Sequence, residues 1–238
     1  RRRKHQVVVW HEKILLMGGF DGETAFDLND VWSWEDDSTD SPRNFYNNNN
    51  WKLVCAHAGW SGRDGHCAVV LNDNIFVLGG TDDPFLCKSD VWSSADGGQS
   101  WSRLLDAAPW PERWQHAACI HKHNNITKMY LTGGWGECYL NDVWSSVDGK
   151  NWINVCQSAP WKPRMFHSLL SFRDAIYIIG GHDGRTQLND VWASSDGGHT
   201  WIQVCQSALW HCRQGHVTVA LEDHLYIMGG FGGSSRFN

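Results

Sequence analysis

The sequence predicts an all-β fold, a propeller of four-stranded antiparallel blades, with about four and a half blades in 238 residues. Three observations carry this. Asp-Val-Trp recurs at Asp30, Asp90, Asp142 and Asp190, each followed by a second tryptophan, and those four (Trp51, Trp101, Trp152, Trp201) lie 50, 51 and 49 residues apart. Apolar runs end in Gly-Gly five times, at Gly18, Gly79, Gly133, Gly180 and Gly229. Arg-x-x-His opens five segments, at Arg2, Arg63, Arg113, Arg164 and Arg213. A fixed period near fifty residues marks one repeated supersecondary unit. A four-stranded sheet is too small to bury both faces alone, so the units must stack, and radial stacking gives a propeller. The approximate blades are 1–60, 61–110, 111–161 and 162–210, with a half blade at 211–238.

Each repeat divides into the same elements. After Arg-x-x-His comes strand one, rich in small or β-branched residues such as Cys67-Ala68-Val69-Val70, which suits a crowded axis. Strand two is the continuous apolar run, for example Ile75 to Gly80. Such a run fits a strand covered on both faces. Strands three and four carry the two tryptophans and are joined by a polar turn, as at Asp196-Gly197-Gly198, where Asp-Gly supplies the positive φ of a tight hairpin. Trp60, Trp110, Trp161 and Trp210 close the repeats. Indole rings bury about 150–250 Å² each, so these strands belong in the wide space between blades. In the first repeat an acidic, Asn-rich insertion, Glu35 to Asn50, replaces the turn and predicts a loop. The array opens at strand one and reaches Asn238 halfway through a fifth repeat, the pattern of a fragment of a propeller with about five to seven blades.

Net charge is −6 and the isoelectric point is near 6.1, against a nucleic-acid partner. No apolar window is long enough to span a membrane, so this segment predicts no membrane contact, and the basic Arg1-Arg2-Arg3-Lys4 is too short to read as a targeting signal. The eight cysteines lack Cys-x-x-Cys or paired spacing; they read as buried or half-buried thiols in a reducing, cytoplasmic setting. One sequon, Asn125-Ile126-Thr127, leaves a secreted origin open.

The Gly-Gly doublets, the downstream tryptophans and the period resemble the kelch-repeat β-propellers over essentially the whole chain, and Ile176 to Gly184 (IYIIGGHDG) looks especially like a kelch signature. The hairpin turns at Ser94–Trp101 and Ser194–Trp201 resemble a second pattern, the Asp-box; the copy at Ser146–Trp152 is one residue short. In Asp-box proteins that turn is structural, and the Arg-Ile-Pro segment of sialidases is absent. The kelch resemblance implies a protein-interaction module that binds through loops on one face.

In a blade of alternating strands that face carries the two-to-three and four-to-one connections. Arg63, Arg113, Arg164 and Arg213, set on a ring, are candidates to pair bidentately with a partner's carboxylates; a residue that recurs in every blade also reads as scaffold. Trp135, His182, Asp183 and Arg185, in loops that differ between blades, are the candidates for selectivity. No catalytic residue, metal ligand or cofactor is assigned. His121 and His123 lack a third ligand and read as a hairpin loop, while the adjacent Asp82-Asp83 need not converge as an acid and base pair. Gly-x-Ser-x-Gly, His-Glu-x-x-His and phosphate-loop patterns are absent. The alternative reading is a secreted galactose-oxidase-like or sugar-epimerase-like enzyme, or a carbohydrate-binding propeller, on the same scaffold, though the oxidase's copper ligands cannot be aligned here.

Overall fold

A computed structural model of the chain describes residues 2–35, 50–82 and 86–237. Every described regular element is a β-strand. The first sheet contains β1 (Arg2–Arg3), β2 (Gln6–Trp10), β3 (Lys13–Asp21), β4 (Asp27–Trp34) and β5 (Trp51–Cys55), with β1 and β2 both paired to β3. Three four-stranded sheets follow in chain order: β6 (Cys67–Leu71) to β9 (Ser102–Leu105) through β7 (Asn74–Thr81) and β8 (Cys87–Ser94); β10 (Ala117–His123), β11 (Ile126–Thr132), β12 (Val143–Ser146) and β13 (Trp152–Cys156); and β14 (Ser168–Phe172), β15 (Ala175–His182), β16 (Gln187–Ser194) and β17 (Ile202–Cys205). The half blade is β18 (Val217–Leu221) with β19 (His224–Met228), followed by the short pair β20 (Phe231–Gly232) and β21 (Ser235–Arg236). The predicted four strands per repeat are therefore present, all antiparallel. Among the described residues no helix is long and apolar enough to cross a membrane. The expected loop of the Glu35–Asn50 insertion falls on residues 36–49, outside the described residues, as do residues 83–85.

The chain forms two compact units, Arg1–Ala107 and Ala108–Asn238. In the first, Leu15, Met17, Val31, Ile75 and Val77 share a core with Trp60. In the second, Tyr130, Val143, Ile176 and Ile178 do so with Trp161 and Trp201. The strand-two prediction holds well at β7, whose residues after Asn74 are all buried. The closing tryptophans pack as interior residues: Trp161 is 1 % exposed and meets the Trp201 ring edge-on at 6.1 Å, and Trp110–Trp152 and Trp60–Trp101 repeat the geometry at 5.9 and 5.8 Å. Such pairs contribute about 0.5–1.5 kcal/mol beyond the area they bury.

The Gly-Gly doublet has a packing cause as well as a conformational one. Gly133 and Gly134 lie at φ +56° and +97°. A Cβ on Gly133 would fall 2.7 Å from His167 Cε1 of the following repeat, and one on Gly134 would fall 2.7 Å from His116 Cβ of its own repeat. The Arg-x-x-His histidines are thus wedges against the doublets. His66, His116, His167 and His216 are at most 6 % exposed. Burial, with the nearby arginine, holds His66 and His167 neutral, with pKa lowered to about 3, and His216 to about 4.

The thiol reading needs one correction. All eight cysteines are free, but Cys138 and Cys212 are exposed, because they lie in connections rather than in the strand positions shared by Cys55, Cys156 and Cys205. His121 and His123 also differ from the loop reading: both lie in β10, with rings stacked at 6.4 Å, and His121 Nδ1 is 2.9 Å from Ser171 Oγ.

Two outcomes test this packing. Gly133→Ala should cost on the order of 2–4 kcal/mol by urea unfolding, from a left-handed alanine plus overpacking against His167. The buried histidines make stability fall with acid: each is neutral in the fold, the unfolded chain takes up its proton below about pH 6.5, and stability present above that value drains as pH falls toward 3–4. Each histidine contributes a slope of up to about 1.4 kcal/mol per pH unit. The urea midpoint should therefore drop between pH 7 and 5, and His167→Gln should make that drop shallower.

Candidate functional site

The site is built on an ion pair that recurs in the four complete repeats, its arginine buried in the second, third and fourth. Arg113 Nη1 and Nη2 donate to the two carboxylate oxygens of Asp142 at 2.8 and 2.7 Å, Nη1 also donates to the Gly133 carbonyl at 2.8 Å, and Nε to the Pro111 carbonyl at 2.9 Å. Trp144 Nε1 donates to Asp142 Oδ2 at 2.7 Å. The same constellation joins Arg164, Asp190 and Trp192, Arg63, Asp90 and Trp92, and Arg2, Asp30 and Trp32. Burial pushes the Asp90 carboxyl up, but hydrogen bonds and charge from Arg63, with the Trp92 indole, overcome it and leave its pKa below the usual range. The guanidiniums of Arg63, Arg113 and Arg164 therefore each tie three segments together: the turn just before the arginine, the Gly-Gly doublet and the start of strand three.

This places the predicted arginines. Arg63, Arg113 and Arg164 are at most 1 % exposed, and each bidentate fork is filled by an aspartate of its own blade. The chemistry expected of them is present, but the carboxylate is internal. Arg213 is half-buried; its Nη1 donates to the Gly229 carbonyl at 2.8 Å and its guanidinium lies 4.4 Å from the Phe237 ring centre.

Over this frame the loop after strand two pairs through its backbone with the residue following the arginine. Trp114 and Trp135 exchange two bonds of 2.9 Å, Met165 and His182 two of 3.0 and 2.9 Å, and, in the first unit, Asp64 and Thr81 two of 3.0 Å. The residue before each histidine is left-handed in all five copies (Lys4, Gly65, Gln115, Phe166, Gly215). Phenylalanine is costly there, and Phe166 is held by donating its N–H to Gln115 O at 3.0 Å and accepting from Gly215 N at 2.9 Å. The result in the second unit is an aromatic rim. Trp114 contacts Trp135 and Phe166 edge-on at 6.5 and 6.1 Å, and Tyr139 lies 6.3 Å from His182.

The loop between β15 and β16 has an inner and an outer part. Asp183 Oδ1 accepts from Arg185 N and Thr186 N at 2.9 and 2.7 Å, and Lys162 Nζ lies 3.1 Å from Oδ2. Burial raises the Asp183 carboxyl, but these donors outweigh it and bring the pKa to about 2. Asp183 thus holds the loop, and the exposed Arg185 side chain is displayed by it. In the first unit the corresponding surface is acidic: Lys4 donates to Asp64 at 2.9 Å, while burial and the Asp64 charge raise Asp27 to about 6. Asp82 pairs with Lys88 at 2.6 Å, and Asp83 lies outside the described residues.

Sequence reasoning missed the asparagine before the Asp-Val-Trp aspartate. Asn29, Asn141 and Asn189 Nδ2 donate to Ala58, Ala159 and Ala208 O at 3.2, 2.8 and 2.9 Å and also reach the closing tryptophan's carbonyl. Its recurrence one residue before the aspartate was the available signal. The hairpin turn is local: Asp196 accepts from Thr200 N and Oγ1, Ser194 Oγ donates to Asp196, and Trp201 Nε1 donates to Gly198 O at 3.1 Å.

A sequence-family model described as the "KLHDC2/KLHL20/DRC7 Kelch-repeats domain" matches residues 1–155 and 65–238. The chain is 28 % identical over 208 residues to F-box/kelch-repeat protein At1g51550 of Arabidopsis thaliana, covering 80 % of this chain and 41 % of the relative. It is 28 % identical over 131 residues to Kelch domain-containing protein 3 of Rattus norvegicus, covering 52 % and 33 %. With Leucine-zipper-like transcriptional regulator 1 homolog of Drosophila melanogaster it shares 28 % identity over 154 residues, covering 59 % and 15 %. It spans less than half the length of each of these relatives.

Frame and rim should separate in a stability measurement. Asp142→Ala strands the buried Arg113 charge and should cost about 3–5 kcal/mol. Arg185→Ala, at the exposed tip, should stay within about 0.5 kcal/mol of the parent in the same urea titration.

Proposed function

The chain belongs to the kelch-repeat family, and on that premise we propose that it is a protein-binding scaffold whose ligand is taken by the rim of two-to-three and four-to-one loops. The observation that carries the reading is the division of labour at this rim. The arginine and aspartate beneath it recur in the four complete repeats and neutralise each other, whereas the half-buried Trp135, Tyr139 and His182 and the exposed Arg185 differ from blade to blade and sit over a base stitched by backbone bonds. A preformed base lowers the ordering cost of binding. Aromatic and arginine side chains are the residue types that most often dominate protein interfaces. In this reading Arg63, Arg113 and Arg164 support the rim from below, Asp183 fixes its loop, and Arg185 favours an acidic counterpart on the partner.

The test uses the full chain as bait for proximity labelling, with three baits in parallel: the parent, the Trp135→Ala, Arg185→Glu double variant, and Lys122→Glu, a charge-matched change at the opposite edge. A partner enriched by the parent and by Lys122→Glu, but reduced at least about tenfold by the rim variant, is the expected outcome. Equal enrichment by the parent and the rim variant would remove the rim from the proposal.

A further inference from the structure

The fourth complete blade, β14 to β17, carries a recess that the ion-pair frame leaves unfilled. A cavity of about 260 Å³ opens beside the indole of Trp192, with all of its lining residues in the second unit. Trp192 is half-buried, and its Nε1 donates to Asp190 Oδ2 at 2.8 Å, which fixes the ring as a rigid aromatic wall. The residue paired with this tryptophan differs from repeat to repeat. In the second blade it is Arg103, whose guanidinium lies 5.5 Å from the Trp92 ring centre and covers the indole. In the first and third blades it is Leu53 and Asn154. In the fourth, Gln203 takes the place and lines the cavity with Trp192.

The charges in the lining are already matched inside the protein. Lys162 Nζ lies 3.1 Å from Asp183, and Asp190 accepts both terminal nitrogens of Arg164 at 2.7 and 2.8 Å. What the recess offers a ligand is three carboxamides, those of Gln187, Gln203 and Gln206, whose side chains hydrogen-bond no protein group among the described residues. Each supplies two N–H donors and one acceptor oxygen. A charged ligand would find no unmatched counter-charge here. An aliphatic one would strip water from the amides without replacing its hydrogen bonds. A pyranose meets each condition: it is uncharged, its hydroxyls both donate and accept, and the C–H bonds on one face of the ring suit an indole wall. The volume lies just below the roughly 300–1,000 Å³ of sites for drug-sized ligands, which fits one sugar ring.

We infer that the recess beside Trp192 binds a single neutral pyranose, stacked on the indole and hydrogen-bonded by Gln187, Gln203 and Gln206. Arg103 shows how the same place is closed in the second blade, where a cation takes the aromatic face. The site is separate from the proposed protein-binding rim, since Trp135, Tyr139, His182 and Arg185 do not line it. Either reading can fail without the other.

The probes are the methyl glycosides of D-glucose, D-galactose, D-mannose and N-acetyl-D-glucosamine, titrated with the full chain by saturation-transfer NMR, with methyl β-D-glucuronide as the charged control. At least one neutral glycoside should bind with a Kd at or below about 10 mM, with transfer strongest at the C–H protons of one ring face and weaker binding of the glucuronide. Gln203→Arg installs the residue that covers Trp92 and should weaken binding at least about tenfold, with the urea midpoint kept because the position is exposed. Gln206→Ala, also at an exposed position, should weaken it at least about threefold, and this arm stands even if Gln203→Arg fails to fold. No transfer to any neutral glycoside overturns the inference. Preference for the glucuronide, or binding undiminished in the folded variants, overturns it as well.

Discussion

A guanidinium buried to 0–1 % exposure cannot stand alone, and the organisation of the blades that carry Arg63, Arg113 and Arg164 depends on that constraint. Removing one partner of a buried ion pair leaves an uncompensated charge in the interior, worth about 3–5 kcal/mol. Arg113 therefore requires Asp142 at one place, the Gly133 carbonyl at another and the Pro111 carbonyl at a third. Those three points lie in different segments of the chain. Satisfying one side chain fixes the connection between blades, the bulge at the end of strand two and the entry of strand three.

The apolar contacts are arranged around the same point. The closing tryptophan lies beside the arginine at 5.8 Å and turns its edge to the hairpin indole of the next repeat. The histidine three residues after the arginine occupies the room that two glycine Cβ atoms would take. Main-chain bonds cross from repeat to repeat at the same level, Gly134 N to Arg164 O at 2.8 Å and Gly181 N to Arg213 O at 2.9 Å. Little freedom remains beneath the rim, so residues that vary there can change without disturbing the frame. Phe166 is an instructive case: a bulky residue in a left-handed conformation tolerated because bonds on both sides hold its backbone.

Much of this was legible beforehand. Period and punctuation were sufficient for the fold because each repeat states the same strand order, and Gly-Gly and Asp-Gly mark positions that few other residues occupy. The arginine role was half legible. Residue type points to a carboxylate for the planar fork, yet Asp142 recurs with the same period as Arg113, and recurrence alone does not say whether two such residues meet each other or a partner. Asn141 is not legible in sequence because a polar residue at a strand entry resembles ordinary turn chemistry, and its acceptors, Ala159 O and Trp161 O, lie 18 and 20 residues away. His121 and His123 read as a hairpin loop in sequence, but β10 runs on through them, its pairing with β11 continuing to His123 and Ile126.

By itself, then, the sequence determined the all-β class, the four strands of each repeat, the tryptophan packing between blades and the membership of one repeat family. These follow from local pattern, which repetition amplifies. Tertiary structure alone decided which recurring charges neutralise one another, and that Asp183 holds its loop while Arg185 is displayed. The physical reason is that pairing and exposure are properties of distance across 16 to 29 residues of intervening chain, and periodicity places residues in a blade without saying which neighbour takes up their charge.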